Sequence, residues 1–155
     1  MEPAQINGIE EMKAAVGKTF GPGEWREITQ ADIDAFADLS RDDQWIHVDV
    51  ERAKTESPFG TTIAHGNLTL SAIDGLRLGL MQSSGFKLGV NYGWNKVRFP
   101  APVPAGSRIR ASVEVASVDD VGGGWFQITT VFTVEVEGNE KPCCVAEHVG
   151  RALAG

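Results

Sequence analysis

The sequence feature that most constrains the fold is an alternation of apolar and polar residues in the last third of the chain. Every second residue there is apolar at Ile109, Ala111, Val113 and Val115. Successive side chains of a β-strand point to opposite faces, so this pattern predicts a strand with one buried face. Residues 125–137 alternate similarly, residues 143–152 form a third run, and proline and glycine clusters between them predict turns. An antiparallel sheet is therefore expected.

Two helices are predicted ahead of these strands. The longer one begins near Gly66 and carries little charge, so other elements have to cover it. Its apolar positions include Leu68, Ile73, Leu76 and Leu80. The other begins after the N-cap Thr29 and ends near Ser40. Its apolar positions recur at helical spacing, at Ile33, Phe36 and Leu39. Because strands mostly follow helices, the order favours an α+β fold over alternating α/β.

Composition narrows the class of protein. A chain of 155 residues with 42% hydrophobic content is expected to form one domain, residues 1–155. A formal net charge of -7 argues against nucleic-acid binding, which depends on lysine and arginine.

Residues 1–11 lack an export pattern, and the apolar stretches are shorter than the roughly 18 residues that span a bilayer, so we expect no membrane partner and a cytoplasmic location. The adjacent Cys143 and Cys144 are expected to be reduced.

Residues 40–65 lack apolar periodicity, apart from a short helix predicted over residues 50–54. Long irregular segments tend to be functional or disordered. Asp42 and His47, five positions apart in this segment, would stand about 140° apart on a helix, so they can meet only if the chain bends. A bent loop would let carboxylate and imidazole hold one water and exchange protons with it. The alternative is that Asp42 and Asp43 solvate a turn and His47 is an ordinary loop histidine.

A second candidate site lies at Gly66, where the apolar helix begins. Glycine lets a ligand approach the backbone, and the first N–H groups of a helix have no partner within it. Such groups could stabilise the oxygen of a developing thioester enolate. We interpret the neighbouring His65 as a structural histidine bonded to the backbone.

Three segments together resemble the MaoC-like family of (R)-specific enoyl-CoA hydratases. They are residues 36–53, residues 63–68 with Ser71, and residues 95–103 with Gly106. Asp42 and His47 stand in register with the first segment. The segments follow the family's order, and the resemblance extends over roughly residues 15–150.

The resemblance implies a single hot-dog domain, in which a curved antiparallel sheet wraps a long apolar helix, and a homodimer whose sheets join edge to edge. It implies syn hydration of trans-2-enoyl-CoA to (R)-3-hydroxyacyl-CoA, a reaction of fatty acid metabolism. Asp42 and His47 would be the catalytic residues, and the N–H of Gly66 would bind the substrate carbonyl. No metal or other cofactor is expected, because coenzyme A is part of the acyl-CoA thioester substrate.

The chain departs from the family's usual signature at Arg41, where glycine is usual, and at Gln44 and Trp45, where asparagine and proline are usual. These residues resemble a subgroup that includes proteins like nodulation protein N, and Gln44 and Trp45 are candidate substrate contacts. A serine that orients the catalytic pair in some relatives falls near residues 73–74, which leaves Ser71 as a neighbouring candidate. The cations that we would test against the phosphates of coenzyme A are Lys96, Arg98 and Arg108.

Two other functions fit the same residues. A hot-dog acyl-CoA thioesterase would direct water at the carbonyl carbon instead of C3. A noncatalytic acyl-thioester binding subunit would keep the loop residues while the region around Trp45 closes or reshapes the cleft. Thiol release, or binding without turnover, would identify these alternatives.

Overall fold

Helices lie mainly in the first half of the chain and long strands in the second. The computed structural model describes residues 2–155. The helices are α1 (Gly8–Ala14), α2 (Gln30–Ser40), α3 (Trp45–Val48), α4 (Val50–Glu56) and α5 (Gly66–Leu78). The strands are β1 (Ala4–Asn7), β2 (Thr19–Phe20), β3 (Arg26–Glu27), β4 (Met81–Ser84), β5 (Phe86–Arg98), β6 (Arg108–Gly122), β7 (Trp125–Val136) and β8 (Cys144–Ala154).

Most strands belong to one antiparallel sheet. Its order is β2-β6-β7-β8-β5, and the short β3 also pairs with β6. β1 and β4 form a separate parallel pair. The antiparallel α+β architecture predicted from the sequence is confirmed.

The buried core lies between α5 and this sheet. All four apolar side chains that predict β6 are at most 1% exposed. Ala72 and Ile73 of α5 and Phe132 of β7 belong to the same buried cluster, and α5 contacts both β6 and β8. Full burial of one valine or isoleucine side chain contributes about 1.5–3 kcal/mol, so this apolar face fixes which side of the sheet receives the helix.

The cap of α2 agrees with the prediction, but one of its apolar positions does not. The Thr29 hydroxyl accepts a hydrogen bond from the N–H of Asp32, whose carboxylate accepts one from the N–H of Thr29. Ile33 is fully buried, whereas Leu39 is 84% exposed, so the prediction that both lie on one buried face was wrong. Six residues turn the helix by about 600°, which leaves Leu39 about 120° away from Ile33.

The strand β5 lies at an edge of the sheet and was not predicted. It has 13 residues and pairs with β8 along one side. Several of its apolar side chains are exposed, namely Leu88, Val90, Tyr92 and Trp94. A long edge strand with exposed apolar side chains favours pairing with another chain.

The structure also bears on the predicted short helix, on the two cysteines and on membrane spanning. The predicted short helix is α4, and the Asp49 side chain caps it by accepting from the N–H of Arg52. Cys143 and Cys144 are free and buried, and burial raises the pKa of their thiols to about 12 and about 11. Among residues 2–155, no helix combines the length and the apolar character needed to cross a membrane.

Candidate active site

The chain turns sharply after α2, and this turn carries Asp42. α2 ends at Ser40, and Arg41 adopts a left-handed conformation with a φ of 67°. The hydroxyl of Ser40 accepts a hydrogen bond of 3.2 Å from the N–H of Asp42. His47 follows in α3 and comes close to Asp42. The bend that the sequence requires for these two residues to meet is therefore present.

The imidazole of His47 is held on one side by the backbone. The side chain is 9% exposed, and its Nδ1 lies 2.7 Å from the carbonyl oxygen of Ile63. A carbonyl oxygen can only accept a hydrogen bond, so Nδ1 carries the proton. In the neutral ring Nε2 then has an unprotonated lone pair, which is able to accept a proton from water.

Two residues that sequence reasoning missed support the backbone of His47, Gln30 directly and Thr62 through Gln30. The amide nitrogen of Gln30 donates to the carbonyl oxygen of His47 at 2.7 Å. The amide oxygen of Gln30 accepts a hydrogen bond of 2.5 Å from the hydroxyl of Thr62, which is 1% exposed. Neither residue belongs to a motif that the sequence displays, so only the fold reveals this support.

His65 connects the two candidate catalytic residues. It is 3% exposed, and its Nε2 donates to the carbonyl oxygen of Asp42 at 2.8 Å. The interpretation of His65 as a histidine bonded to the backbone is thereby confirmed. Its ring stacks on the ring of His47 with centroids 3.8 Å apart, and it also contacts Phe36.

Asp42, His47 and His65 offer nitrogen and carboxylate oxygen atoms that all lie within 4.8 Å of one another. The carboxylate is exposed and the two imidazoles are buried, so water can reach the cluster from the Asp42 side. This spacing allows one water to contact both Asp42 and His47.

Asp42, His47 and His65 form a group of side chains that could hold a metal ion. Each ring uses one nitrogen to donate to a carbonyl oxygen, so each ring has one nitrogen left as a possible ligand. That the site uses no metal stays a prediction.

Gly66 is the first residue of α5 and borders an apolar cleft of about 390 Å³. Phe59, Ile63 and Phe99 are among the side chains that line it. A Cβ atom at Gly66 would lie 2.9 Å from the ring of Phe99, so glycine is the residue that leaves this ring in place. The free N–H groups at the start of α5 follow His65 directly in the chain, while Asp42, His47 and His65 are not among the residues that line the cleft.

Three other predicted substrate contacts occupy different surroundings. Ser71 is exposed, and its hydroxyl donates to the carbonyl oxygen of Asn67 in its own helix. Gln44 is exposed at the start of α3, and Trp45 is half-buried beneath the guanidinium of Arg52, 4.2 Å from the ring centre. Gln44 and Trp45 thus flank the turn between the candidate catalytic residues, while the Ser71 hydroxyl already has a partner in α5.

The cations proposed for the phosphates of coenzyme A divide into two kinds. Lys96 and Arg98 are exposed on β5, and Arg98 donates to the carbonyl oxygen of Val97. Arg108 donates two hydrogen bonds to the carboxylate of Glu137, and these bonds lower the pKa of that carboxyl group. Lys96 and Arg98 are therefore better placed than Arg108 to receive a phosphate.

A larger cavity of about 620 Å³ is lined by residues of α5, β5 and β8. Within it, Nε2 of His148 donates to the side-chain oxygen of Asn91 at 2.9 Å, and the ring meets the edge of Trp94. Burial lowers the pKa of His148, and the nearby Arg77 lowers it further, while Asp74 acts in the opposite direction. Sequence reasoning did not single out His148.

Comparison with known proteins defines the class to which this fold and site belong. Residues 11–137 match the MaoC like domain, and the chain belongs to the MaoC-like dehydratase family. Among individual proteins, it is 51% identical over 149 residues to 3-hydroxyacyl-thioester dehydratase Z of Mycobacterium tuberculosis, covering 96% of this chain and 98% of that protein. It is 38% identical over 142 residues to Nodulation protein N of Rhizobium leguminosarum bv. viciae, covering 91% and 88%.

Solved structures support the fold. The monoamine oxidase regulatory protein of Archaeoglobus fulgidus superposes with a TM-score of 0.80 at 28% identity, over 100% of this chain and 99% of that one. The (R)-hydratase of A. caviae, described as involved in PHA biosynthesis, superposes with a TM-score of 0.65 at 27% identity, over 87% and 94%. The predicted hot-dog fold and the predicted likeness to nodulation protein N are confirmed.

Proposed function

We propose that this protein catalyses the reversible syn hydration of trans-2-enoyl-CoA to (R)-3-hydroxyacyl-CoA. The observation that carries the proposal is the approach of the Asp42 carboxylate and the His47 imidazole, each of which offers one ligand atom within 4.8 Å of the other. The hydrogen bond from His47 Nδ1 to a carbonyl leaves Nε2 able to bind water. The two groups can therefore hold a single water molecule between them.

In the proposed reaction, the oxygen of this water forms a bond with C3 of the enoyl thioester while the C2–C3 double bond becomes a single bond. One proton of the water passes to the Asp42/His47 pair, and the pair delivers a proton to C2. The sum is addition of one water, and the reverse sequence is dehydration. Because both groups contact the same water, they act as a unit.

The electron pair that leaves the double bond gathers on the thioester oxygen during the reaction. In this proposal the N–H of Gly66 at the start of α5 binds this oxygen, because the first N–H groups of a helix have no partner within it. One such contact contributes about 3 kcal/mol to stabilisation of the transition state. This role explains why a residue without a Cβ atom borders Phe99.

Two of the similar proteins support this reaction class. The relative that shares 51% identity is named a 3-hydroxyacyl-thioester dehydratase, which denotes the reverse direction of the same reaction. The similar structure from A. caviae is named an (R)-hydratase, which supports the (R) configuration of the product. Nothing in either name specifies the acyl chain that this protein accepts.

The protein acts as a homodimer in this proposal, with β5 of one copy paired to β5 of the other. The exposed apolar row on β5 supports this arrangement, because pairing would cover it. Leu88→Lys should shift the mass measured by light scattering from dimer to monomer, while Leu39→Lys, an exposed leucine on α2, should not. A monomeric parent protein would contradict the arrangement.

An absorbance assay for enoyl-CoA hydration across short, medium and long chains tests the proposed function. Loss of the enoyl absorbance, with the (R)-3-hydroxyacyl product identified by chiral analysis, is expected. Release of free thiol without hydration would favour a thioesterase. Saturable CoA-ester binding without turnover at any chain length would favour a noncatalytic binding subunit.

A further inference from the structure

His65 is buried, polar and adjacent to the reacting groups, yet the proposed chemistry gives it no proton to carry. Its Nδ1 is the buried side-chain nitrogen or oxygen in residues 2–155 that lacks a hydrogen-bond partner. A buried polar atom without a partner costs about 1–3 kcal/mol, so the rest of the side chain has to compensate for this loss. The compensation comes from the two contacts that His65 makes with Asp42 and His47.

The first contact fixes the proton on His65. Its Nε2 lies 2.8 Å from the carbonyl oxygen of Asp42, and a carbonyl oxygen only accepts, so Nε2 carries the proton. Nδ1 is then the unprotonated nitrogen, which agrees with its having no acceptor beside it. The hydrogen bond joins the start of α5 to the turn between α2 and α3, 23 residues earlier in the chain.

The second contact fixes the ring of His47. The two imidazoles stack with centroids 3.8 Å apart and planes inclined by 24°, and the ring of Phe36 lies 4.9 Å from that of His65 between centroids. The hydrogen bond from Nδ1 to Ile63 fixes the rotation of the His47 ring, and the stacked ring of His65 opposes tilting of that ring. Both reacting groups are therefore oriented by one side chain.

We propose that His65 is a positioning residue that fixes Asp42 through its backbone carbonyl and His47 through ring stacking, so that both face one water. This inference rests on the proposed hydration reaction. Because Asp42 lies in an exposed turn, the hydrogen bond from His65 is the contact that couples this turn to the buried part of the site. Loss of that bond should lower kcat more than it changes KM, because His65 is 3% exposed and acts through Asp42 and His47.

Two variants separate the hydrogen bond from the stacking. His65→Phe keeps a flat ring on His47 and removes the donor. His65→Gln keeps an N–H donor near the position of Nε2, and its flat amide can still cover part of the His47 ring. We expect kcat to fall about 10- to 100-fold in His65→Phe with KM within about threefold of the parent, and to be largely restored in His65→Gln.

Thermal unfolding of both variants distinguishes positioning from general structural support. If kcat fell equally in both variants in proportion to their loss of Tm, or fell in neither, the positioning role would be overturned. A His65→Phe variant with an almost unchanged Tm, low kcat and rescue by glutamine would support it. If His65→Phe does not fold, His65→Ala takes its place as the variant without a donor. A higher kcat in His65→Gln than in His65→Ala then supports positioning, and equal kcat values overturn it.

A substrate-free measurement keeps this inference separate from the proposed function. Nitrogen NMR of the imidazoles should report protonated Nε2 in His65 and protonated Nδ1 in His47, with the His65 proton hydrogen-bonded to a carbonyl. If the parent protein hydrated no enoyl thioester, the proposed function would fail while this result could still stand. A proton on Nδ1 of His65 would overturn the inference whatever the activity.

Discussion

His47 is buried and His148 is half-buried, and the two histidines differ in their hydrogen-bond partners and in the nearest charges. His47 donates to a backbone carbonyl through Nδ1, which leaves Nε2 unprotonated in the neutral ring, and its imidazole lies close to the Asp42 carboxylate. His148 donates to the side chain of Asn91, and burial, together with the nearby Arg77, lowers its pKa. The larger cavity contains His148, whereas the carboxylate of Asp42 lies close to His47, so cavity size and acid-base pairing point to different histidines.

The largest effect should come from Asp42→Asn, which replaces the carboxylate beside His47 with a neutral amide of similar shape. We expect enoyl-CoA hydration to fall by about 100- to 10,000-fold, because general acid-base groups contribute factors of that size. Asp43→Asn is the matched control, since Asp43 is an exposed neighbour outside the cluster. Equal activity in the two variants, measured by the same absorbance assay, would mean that the Asp42 carboxylate has no special part in the reaction. The Asp42 site would then be no better a candidate for the active site than the His148 cavity.

A smaller loss should follow from Gly66→Ala. Its Cβ would push the ring of Phe99 into the cleft, so we expect kcat/KM to fall about 10-fold as the oxyanion contact is displaced. Gly75→Ala in the same helix is the control, because its Cβ meets only the tip of Arg26 at 3.6 Å. That control should keep full activity and gain about 0.5–1 kcal/mol of stability from lower chain entropy. Unchanged kinetics in Gly66→Ala would argue against a reacting oxygen at this helix start.

Removing the exposed cations of β5 should have a milder effect. We expect the Lys96→Ala/Arg98→Ala double variant to raise KM for CoA thioesters by about two- to fivefold, since exposed ion pairs contribute about 0.2–1 kcal/mol each. The rise should disappear with an N-acetylcysteamine thioester, which lacks the phosphates. An equal rise with both substrates would mean that these side chains do not bind phosphate.

The smallest catalytic effect is expected from His148→Gln, which keeps a donor for Asn91. At neutral pH, kcat should remain within about threefold of the parent, because no proton transfer depends on His148. The folded pKa of His148 is lowered, so the unfolded chain binds its proton more tightly, and this group's share of stability is lost as pH falls below about 6.5. Denaturant titrations at pH 8 and pH 5 should therefore show a smaller acid-induced loss in the variant. A pH-independent difference would contradict this assignment.

Elements of the fold could be predicted from the sequence where a residue pattern is compatible with only one local structure. The alternation in β6 and the cap at Thr29 each follow from local geometry, and both agree with the structure. β5 was missed because Gly89 and Gly93 interrupt its apolar residues, and glycine is unfavourable in strand interiors. The exposed Leu39 shows that apolar spacing alone does not say which side of a helix is covered.

The candidate site was predictable only in part. The meeting of Asp42 and His47 could be inferred from their types and the need for a bend, together with the resemblance to a known family. Its supports could not, because the bond between Gln30 and Thr62 spans 32 residues and that between His65 and Asp42 spans 23. Such contacts form only when the helices and strands have packed together, so no local sequence pattern predicts them.

The sharing of one water by Asp42 and His47 is tested most directly by the hydration rate of the Asp42→Asn/His47→Asn double variant. Asparagine at position 47 keeps a donor for the carbonyl of Ile63 and removes Nε2, so the fold is retained. If the two groups act on the same water, the double variant should be about as slow as the slower single variant. Losses that multiply would mean that the two residues act independently, and the shared water would be refuted.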